Sequence, residues 1–446
     1  MTKKIDVTAL RALRKGSHIA GKVFTKSGRI LRRVEDKTTR IIINKTGSPN
    51  GIGSVGINSL IYNTYPQITP VHPALPVIGQ RPSVTVFAFL DPRGFYGGIA
   101  TLLCVAAEMA IQKGYDLRIA QTTGYSDKAD VLGFLESKGF SLPKERYSTI
   151  DLSKRTVDNF GYLPLHEDDI LVVSAWWDAY IAEKLPLKNK FLYLIQDYEP
   201  IFYNNSDLSV LADQTYSSEK FIPLLNTEIL YKFFEKNGYD YIAKNATWFE
   251  PAPAPPIDTS IKKDSDVKTI FIYGRPHVHR NLYYNALRAL DLALQDERLE
   301  GVKYRLYSAG ASDIPSVKLT SGHVVNNLGK MKMDDYYRFA QTIDVAISPM
   351  LAPHPNYPTL ELASLGAAVV STSWKTKQDL SYYSPNILLA QPTPEAMAKE
   401  IIQAILLPED QKQKNMKQNH IDRDWPKALN QPIEKALRAI TKDKKA

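Results

Sequence analysis

The chain has few of the features that mark secreted, membrane-spanning or cysteine-stabilised proteins. Among its 446 residues the only cysteine is Cys104, which excludes an intrachain disulfide and a zinc site built from cysteines. The apolar residues around Cys104 favour a packing role over that of a nucleophile. No apolar run approaches the roughly 18 residues that a transmembrane helix needs, and no apolar signal core follows the N-terminus. These absences predict a cytoplasmic protein.

Charge is concentrated at one end of the chain. The formal net charge is +9, and residues 1–45 alone hold 13 Lys and Arg against three acidic residues. Such a basic arm indicates an anionic partner, such as the inner face of the plasma membrane or an anionic acceptor; a solvated leader is the alternative. No zinc-finger spacing and no RNA-recognition aromatic signature accompany it, so we expect no nucleic-acid partner.

Strand-like and helix-like segments alternate along the chain, as is typical of parallel α/β sheets. One series starts at Ser83–Leu90 and a second at Thr269–Tyr273. Between them, the proline-rich run Pro251–Pro256 predicts an interdomain linker. We therefore predict two Rossmann-like domains that face each other across a cleft, with ligands at the carboxyl ends of the strands. The predicted limits are a basic N-terminal extension over 1–78, a first domain over 79–255, a second domain over 256–405 and, over 406–446, a helical segment packing back on the first domain.

One motif is typical of a pyrophosphate site. The strand-like run Ile270–Tyr273 ends at Gly274, whose missing side chain lets the backbone turn closely. Arg275 and Arg280 follow, and Asn281 opens a predicted helix. Two guanidinium groups and a helix N-terminus suit two phosphoryl groups. Two surface arginines in a loop are the alternative interpretation.

A second motif follows the strand-like run Val345–Ser348. A loop rich in proline, which contains Tyr357, leads into a predicted helix. The backbone amides of Thr359 and Leu360 are expected to face the phosphates. Glu361, in the first turn, is placed to accept a hydrogen bond from a sugar hydroxyl, although a carboxylate there commonly just complements the helix dipole.

The order of these motifs resembles the donor domain of GT-B glycosyltransferases, and of glycosyltransferase family 4 in particular, over residues 267–405. The spacing of Arg275 and Arg280 carries this resemblance, together with the run from Glu361 to Gly366. One departure is that the family's first glutamate, eight residues before the second, falls here on Pro353.

Within that class, the Pro-x-Pro-x-Tyr-Pro loop before Glu361 and the run Tyr193–Pro200 are similar to bacterial surface-glycan rhamnosyltransferases of the WsaF type. The resemblance implies transfer of L-rhamnose from dTDP-β-L-rhamnose to a growing surface polysaccharide or lipid-linked glycan. It also implies that the first domain binds the acceptor and the second the nucleotide sugar. Arg275, Arg280 and Lys330 would hold the diphosphate, and Glu361 the pentose hydroxyl. The donor is a substrate, so no cofactor is expected, and we predict no catalytic metal.

The loop after the first strand contains Gly97 and Gly98, where GT-B enzymes approach the donor phosphates or the acceptor. A tight connection that needs positive φ angles is the alternative. An inverting transfer also needs a base for the acceptor hydroxyl. The candidates at predicted strand ends are Asp91, Asp178, Asp197 and Glu199.

Two other functions stay open at this point. Asp197 and Glu199 form an acidic pair after a strand, which could hold a divalent metal in a single-domain GT-A transferase. Against that fold stand the proline linker and the second α/β series. The other alternative is a non-catalytic protein that binds a nucleotide sugar or a glycan.

Overall fold

The computed structural model describes residues 56–76, 79–92, 94–156 and 161–442. The chain divides into two compact units, residues 1–69 and residues 70–446. In the first unit, the described part holds helix α1 (Ile57–Thr64) and a 3-10 turn over Pro66–Ile68. The predicted basic arm, residues 1–45, lies outside the described residues.

The first domain of the second unit is built on a parallel sheet. Its strands are β2 (Ser83–Ala88), β3 (Asp116–Gln121), β4 (Tyr147–Asp151), β6 (Ile170–Val173), β7 (Phe191–Ile195), β8 (Phe221–Asn226) and β9 (Thr247–Phe249). They lie in the order β4-β3-β2-β6-β7-β8-β9, and every pair is parallel. A separate parallel pair joins β1 (His72–Ala74) to β5 (Tyr162–Pro164). Ordered structure in this unit therefore starts before the predicted limit at residue 79.

Helices cover both faces of this sheet, which explains why β2 and β7 are buried at every residue. The helices are α2 (Gly97–Lys113), α3 (Val131–Ser137), α4 (Trp176–Ala182), α5 (Asp207–Thr215), α6 (Glu228–Lys236) and α7 (Asp240–Asn245). Helix α2 runs through the core, and its Cys104 is 1% exposed. Burial raises the pKa of the Cys104 thiol to about 12, so this residue is a packing residue, as expected.

The second domain repeats the architecture. Its strands are β10 (Lys268–Tyr273), β11 (Tyr304–Ala309), β12 (Val317–Lys318), β13 (Val324–Asn327), β14 (Val345–Ile347), β15 (Ala368–Thr372) and β16 (Ile387–Ala390). They lie in the order β12-β13-β11-β10-β14-β15-β16, and the β12–β13 pair is antiparallel while the others are parallel. The helices that follow in this half of the chain are α8 (Tyr283–Ala293), α9 (Met333–Ala340), α10 (Tyr357–Ser364), α11 (Pro394–Leu406), α12 (Glu409–Met416) and α13 (Trp425–Lys442).

The chain crosses between the domains twice, and the two crossings touch. The proline-rich linker is buried from Pro251 to Pro255, and the backbone N–H of Ala254 donates to the carbonyl of Asp422 at 3.0 Å. Proline has no N–H, so its burial leaves no backbone donor unsatisfied. Among the described helices, none combines the length and the apolarity needed to cross a membrane.

The segment after residue 405 is shared between the domains. Helix α12 belongs to the second, where the buried Lys412 Nζ donates to the carbonyl of Asp344 at 3.2 Å. Helix α13 belongs to the first, where Trp425, Leu429 and Ile433 join the apolar core under β2 and α2. Each domain is therefore completed by residues from the end of the chain.

Candidate active site

The site lies in the cleft where the carboxyl ends of the two sheets meet. Strand β2 leads to Gly97 and Gly98 at the start of α2, and β10 leads to Gly274 and Arg275. Three neighbouring cavities occupy this region, and we call them the cleft cavity (about 420 Å³), the inner cavity (about 430 Å³) and the outer cavity (about 810 Å³). Parallel sheets place their ligand sites at this edge.

The cleft cavity brings together predicted residues from both domains. Gly97 and Gly98 form the first-domain wall, and Arg275, Lys330 and Glu361 line the opposite wall. The ammonium of Lys330 lies 5.5 Å from the ring centre of Tyr96, which precedes Gly97. Arg275 is exposed. Two cations therefore face the N-terminus of α2, an arrangement that attracts anions.

A close backbone approach forms the floor beside Arg275. The N–H of Gly274 donates to the carbonyl of Ala309 at 2.8 Å. Gly310, at φ +128°, lies so near that a Cβ atom there would stand 2.8 Å from the Gly274 oxygen. A Cβ at Gly274 would itself stand 3.3 Å from the Ala309 oxygen, so both glycines allow the two backbone segments to approach closely.

Glu361 sits in an environment that favours its neutral form. Burial raises the pKa of its carboxyl to about 7, although Lys138 and the hydroxyl of Tyr336 partly oppose this. That hydroxyl donates to Glu361 Oε2 at 3.4 Å. Glu361 lines both the cleft cavity and the outer cavity.

Helix α10, which carries Glu361, starts from a strained residue. Asn356 has φ 61° and ψ 145°, a conformation that costs energy for a residue other than glycine. Its Oδ1 accepts from the backbone N–H of Thr359 at 2.9 Å. The Thr359 amide is therefore occupied by this cap, and the prediction that it faces the phosphates is wrong. The side chains of Thr359 and Leu360 are both fully buried.

Tyr357, also predicted, bridges the domains. Its hydroxyl lies 2.6 Å from Thr101 Oγ1 in α2 and accepts from Asn226 Nδ2 at 2.7 Å. Asn226 is the last residue of β8. The loop before α10 is thereby hydrogen-bonded to the first domain.

The inner cavity opens beside the cleft cavity. Its wall includes Arg280, whose guanidinium lies 3.8 Å from the ring centre of Phe202. Arg280 Nε is 3.7 Å from Asp197 Oδ2, and burial lowers the pKa of Arg280 while Asp197 opposes that shift. Asn281 also lines this cavity and is 4% exposed. Arg280 and Asn281 therefore lie in the inner cavity only, whereas the exposed Arg275 lines both cavities.

Carboxylates gather in the inner cavity. Burial raises the pKa values of Asp178 to about 7, Asp197 to about 6 and Glu199 to about 8. Asp178 Oδ1 accepts from the Thr122 hydroxyl at 3.1 Å, and Glu199 Oε2 accepts from the backbone N–H of Trp176 at 2.7 Å. These pKa values lie near the range useful for proton transfer.

The remaining predicted base is elsewhere. Asp91 lines the outer cavity with Lys330 and Lys332, and it is not part of the inner cavity. Trp177 and Phe202 are among the aromatic residues that line the inner cavity. Trp176 is fully buried, and its Nε1 donates to Tyr203 Oη at 2.9 Å, so it is a core residue.

Three further residues, for which the sequence analysis predicts no role, also belong to the site. His354 and Asn226 line the inner cavity. Beneath them, Lys377 is completely buried, and its Nζ donates to the carbonyls of Met350 at 2.9 Å and His354 at 3.4 Å. Burial lowers the pKa of Lys377 to about 7, with Asp197 opposing. A lysine in a loop gives no sequence signal for this role.

Comparison with known proteins identifies the family. Residues 85–228 match the family model for the WsaF N-terminal domain, and residues 268–402 match the model for the WsaF C-terminal domain. The chain belongs to the WsaF family. A further relative is the O-antigen biosynthesis protein RfbC of Myxococcus xanthus, with 30% identity over 243 residues. That match covers 53% of this chain and spans 18% of the length of RfbC.

Solved structures show the fold of this WsaF-family chain. Sucrose-phosphate synthase from Thermosynechococcus elongatus superposes with a TM-score of 0.55 at 12% identity, covering 82% of this chain and 99% of its own. The glycosyltransferase WaaG of lipopolysaccharide biosynthesis gives a TM-score of 0.51 at 15% identity, covering 80% of this chain and 99% of its own. The fold is GT-B, as predicted from the sequence.

The GT-B fold overturns the GT-A alternative. Asp197 and Glu199 lie at one wall of a two-domain cleft, where Asp197 faces Arg280 and Glu199 accepts from a backbone N–H. Over the described ranges, no group of three His, Cys, Asp or Glu side chains is arranged to hold a metal ion. Each carboxylate therefore has a partner within the protein.

Proposed function

We propose that this WsaF-family chain is a glycosyltransferase of bacterial surface-glycan assembly and that its donor is dTDP-β-L-rhamnose. The observation that carries the proposal is the cleft cavity, where Arg275, Lys330 and Glu361 face Gly97 and Gly98 across the two domains. The O-antigen relative supports the class of product. The choice of rhamnose rests on the resemblance of the proline-rich loop and the Tyr193–Pro200 run.

In this proposal the cleft cavity binds the nucleotide diphosphate. Arg275 and Lys330 neutralise the two phosphoryl groups, and the N-terminus of α2 adds a favourable dipole. The same groups stabilise the charge that builds up on the diphosphate as the sugar leaves. Glu361 binds the pentose hydroxyl. The side chain of Arg280 lies in the inner cavity, which Arg275 also lines. From there it contacts the diphosphate.

The inner cavity supplies the proton acceptor. We assign this role to Asp178, which lines the cavity and whose Oδ1 is bound by the Thr122 hydroxyl. Its carboxylate takes the proton of the acceptor hydroxyl while that oxygen attacks the sugar carbon and the diphosphate departs. Asp197 instead holds the guanidinium of Arg280 in place. Removal of a positioned base typically lowers the rate by about 10²- to 10⁴-fold.

The experiment is a transfer assay with defined donors. Purified protein is incubated with dTDP-β-L-rhamnose, UDP-glucose or GDP-mannose and a rhamnan acceptor. Arg275→Ala is expected to weaken donor binding. Arg298→Ala, at an exposed arginine that pairs with Asp296, serves as the matched control. Binding without transfer would favour a nucleotide-sugar-binding protein, and failure to bind any nucleotide sugar would overturn the proposal.

A further inference from the structure

Buried polar atoms without a hydrogen-bond partner cluster on the inner cavity. Among the described residues that line it, they are Asn226 Oδ1, Arg280 Nε and His354 Nε2. A buried donor or acceptor that finds no partner costs about 1–3 kcal/mol. Native proteins leave few such groups, and each calls for an explanation. One cavity that collects two donors and an acceptor is a place where a ligand completes the hydrogen bonds.

His354 is a fixed, neutral donor. Its Nδ1 accepts from the backbone N–H of Asn356 at 3.0 Å, so the ring proton is on Nε2. Burial lowers the pKa of His354 to about 3, and the positive charges of Lys377 and Arg280 act in the same direction. Lys377 Nζ also donates to the His354 carbonyl. The imidazole therefore keeps its N–H on Nε2. The hydrogen bond from Lys377 to the His354 carbonyl fixes the loop that contains it.

Asn226 is a fixed acceptor. Its Nδ2 donates to Tyr357 Oη at 2.7 Å, which orients the amide and leaves Oδ1 without a partner. The side chain is 1% exposed, whereas that of His354 is 6% exposed. Because Asn226 ends β8 and His354 precedes α10, the acceptor and the donor come from opposite domains.

The chemistry of the cavity selects its occupant. The diphosphate of a nucleotide sugar is a poor occupant, because it would lie among the carboxyl groups of Asp178, Asp197 and Glu199, and its phosphoryl groups are fully ionised at neutral pH and have no proton to give to Asn226 Oδ1. A sugar hydroxyl both donates and accepts. A neutral ring bearing several hydroxyls therefore satisfies the amide oxygen and the imidazole N–H together.

The position of the cavity identifies which sugar. The inner and cleft cavities share Gly97, Gly98, Arg275 and Tyr357 as lining residues. A diphosphate held at Arg275 in the cleft cavity would extend its sugar into the inner cavity. We propose that Asn226 and His354 are specificity-determining residues that bind hydroxyl groups of the transferred sugar, Asn226 by accepting and His354 by donating. This inference rests on the proposed function.

Two conservative variants separate a ligand role from a structural one. In His354→Asn the amide oxygen can replace Nδ1 as acceptor for Asn356, but the donor at Nε2 is lost. In His354→Gln the amide nitrogen can replace Nε2, but the acceptor for Asn356 is lost. Affinities of dTDP-β-L-rhamnose and of dTDP are measured by calorimetry, with melting temperatures taken in parallel.

The inference expects His354→Asn to bind dTDP-β-L-rhamnose about tenfold more weakly, with dTDP unchanged. His354→Gln should keep more of the sugar affinity and melt at a lower temperature. The exposed His277, paired with Asp313, provides the control His277→Asn, which should change neither affinity. The same affinities are measured for UDP-glucose and UDP, and for GDP-mannose and GDP.

The outcomes keep the two proposals apart. If His354→Asn retains the wild-type preference for nucleotide sugar over nucleotide, or if wild type has no such preference, the specificity assignment is overturned while the transferase proposal stands. If wild type binds none of the nucleotides or nucleotide sugars, the proposed function fails. A loss of dTDP affinity equal to the loss of dTDP-rhamnose affinity would show that His354 acts on the fold, and it would overturn the inference.

Discussion

The hydroxyl of Tyr357 in the second domain lies 2.7 Å from the amide nitrogen of Asn226 in the first. The same hydroxyl is 2.6 Å from Thr101 Oγ1. Tyr357 begins α10, and Glu361 lies one turn further along. This contact therefore fixes Glu361 relative to the wall that contains Gly97 and Gly98.

Removal of the hydroxyl in Tyr357→Phe should loosen this connection. The buried amide nitrogen of Asn226 would lose its acceptor, which costs about 1–3 kcal/mol of unfolding free energy, whereas the Thr101 hydroxyl would keep the Gly97 carbonyl as a partner. Urea unfolding measures the loss. Tyr382→Phe, at a tyrosine that is 62% exposed, should cost much less. Equal stability of the two variants would contradict the prediction.

Asp178 should control the pH dependence of transfer. Its pKa is raised to about 7 by burial, so the rate should rise with pH through about 7 as the carboxylate forms. Asp178→Asn should lose about 10²- to 10⁴-fold in rate and this pH dependence. An unchanged pH profile in Asp178→Asn would remove it as the proton acceptor. Asp410→Asn, at an aspartate that is 71% exposed, is the control.

The ionisation of Asp178 should have the opposite effect on stability: as the pH rises, the transfer rate increases but the free energy of unfolding decreases. The folded protein holds this proton more tightly than the unfolded chain, whose aspartates titrate near 3.9. The contribution to stability is therefore present below about pH 4 and lost as the pH rises through about 7. Asp178→Asn should accordingly raise the melting temperature more at about pH 8 than at about pH 5. Calorimetry at both pH values checks the sign.

Two glycines distinguish backbone strain from steric collision. Gly310 and Gly301 both have positive φ, at 128° and 80°, but only at Gly310 would a Cβ meet a neighbour, 2.8 Å from the Gly274 oxygen. Gly301→Ala should cost about 1–2 kcal/mol because alanine is disfavoured at a positive φ. Gly310→Ala should cost more, and it should weaken nucleotide binding because Arg275 would move. Similar losses of unfolding free energy in the two variants would rule out a role for the close approach of Gly310 to the Gly274 oxygen.

The basic arm, residues 1–45, gives a prediction about membranes. Each Lys or Arg near an anionic surface contributes about 1 kcal/mol before screening by salt. Full-length protein should co-sediment with phosphatidylglycerol vesicles at low salt and dissociate at high salt. Protein lacking the arm should stay in solution under both conditions. Undiminished vesicle binding without the arm would exclude this role.

Much of the fold was predictable because apolar runs in a buried parallel sheet are nearly continuous. The strands predicted at Ser83–Leu90 and Thr269–Tyr273 correspond to β2 and β10. Strand β8 is harder to predict because Pro223 interrupts its apolar pattern, although every residue of that strand is buried. In the helical segment predicted over 406–446, Pro426 lies in the first turn of α13, where proline is tolerated.

The cleft cavity was more accessible to sequence reasoning than the inner cavity. Arg275 and Glu361 belong to local motifs at strand ends, and the structure brings them together. Asn226, His354 and Lys377 come from separate loops, and only tertiary packing makes them neighbours. The Thr359 prediction failed for a local reason, because the Asn356 side chain caps the helix before a ligand can.

Helix α13 has a consequence for how the protein is made. The core around β2 and α2 is completed by Trp425, Leu429 and Ile433, which follow the whole second domain in the chain. During synthesis, part of the apolar core of the first domain therefore stays exposed to solvent until the residues of α13 have left the ribosome. The second domain has time to fold in that interval, and a ribosome that stalls within α13 would leave a nascent chain prone to aggregation.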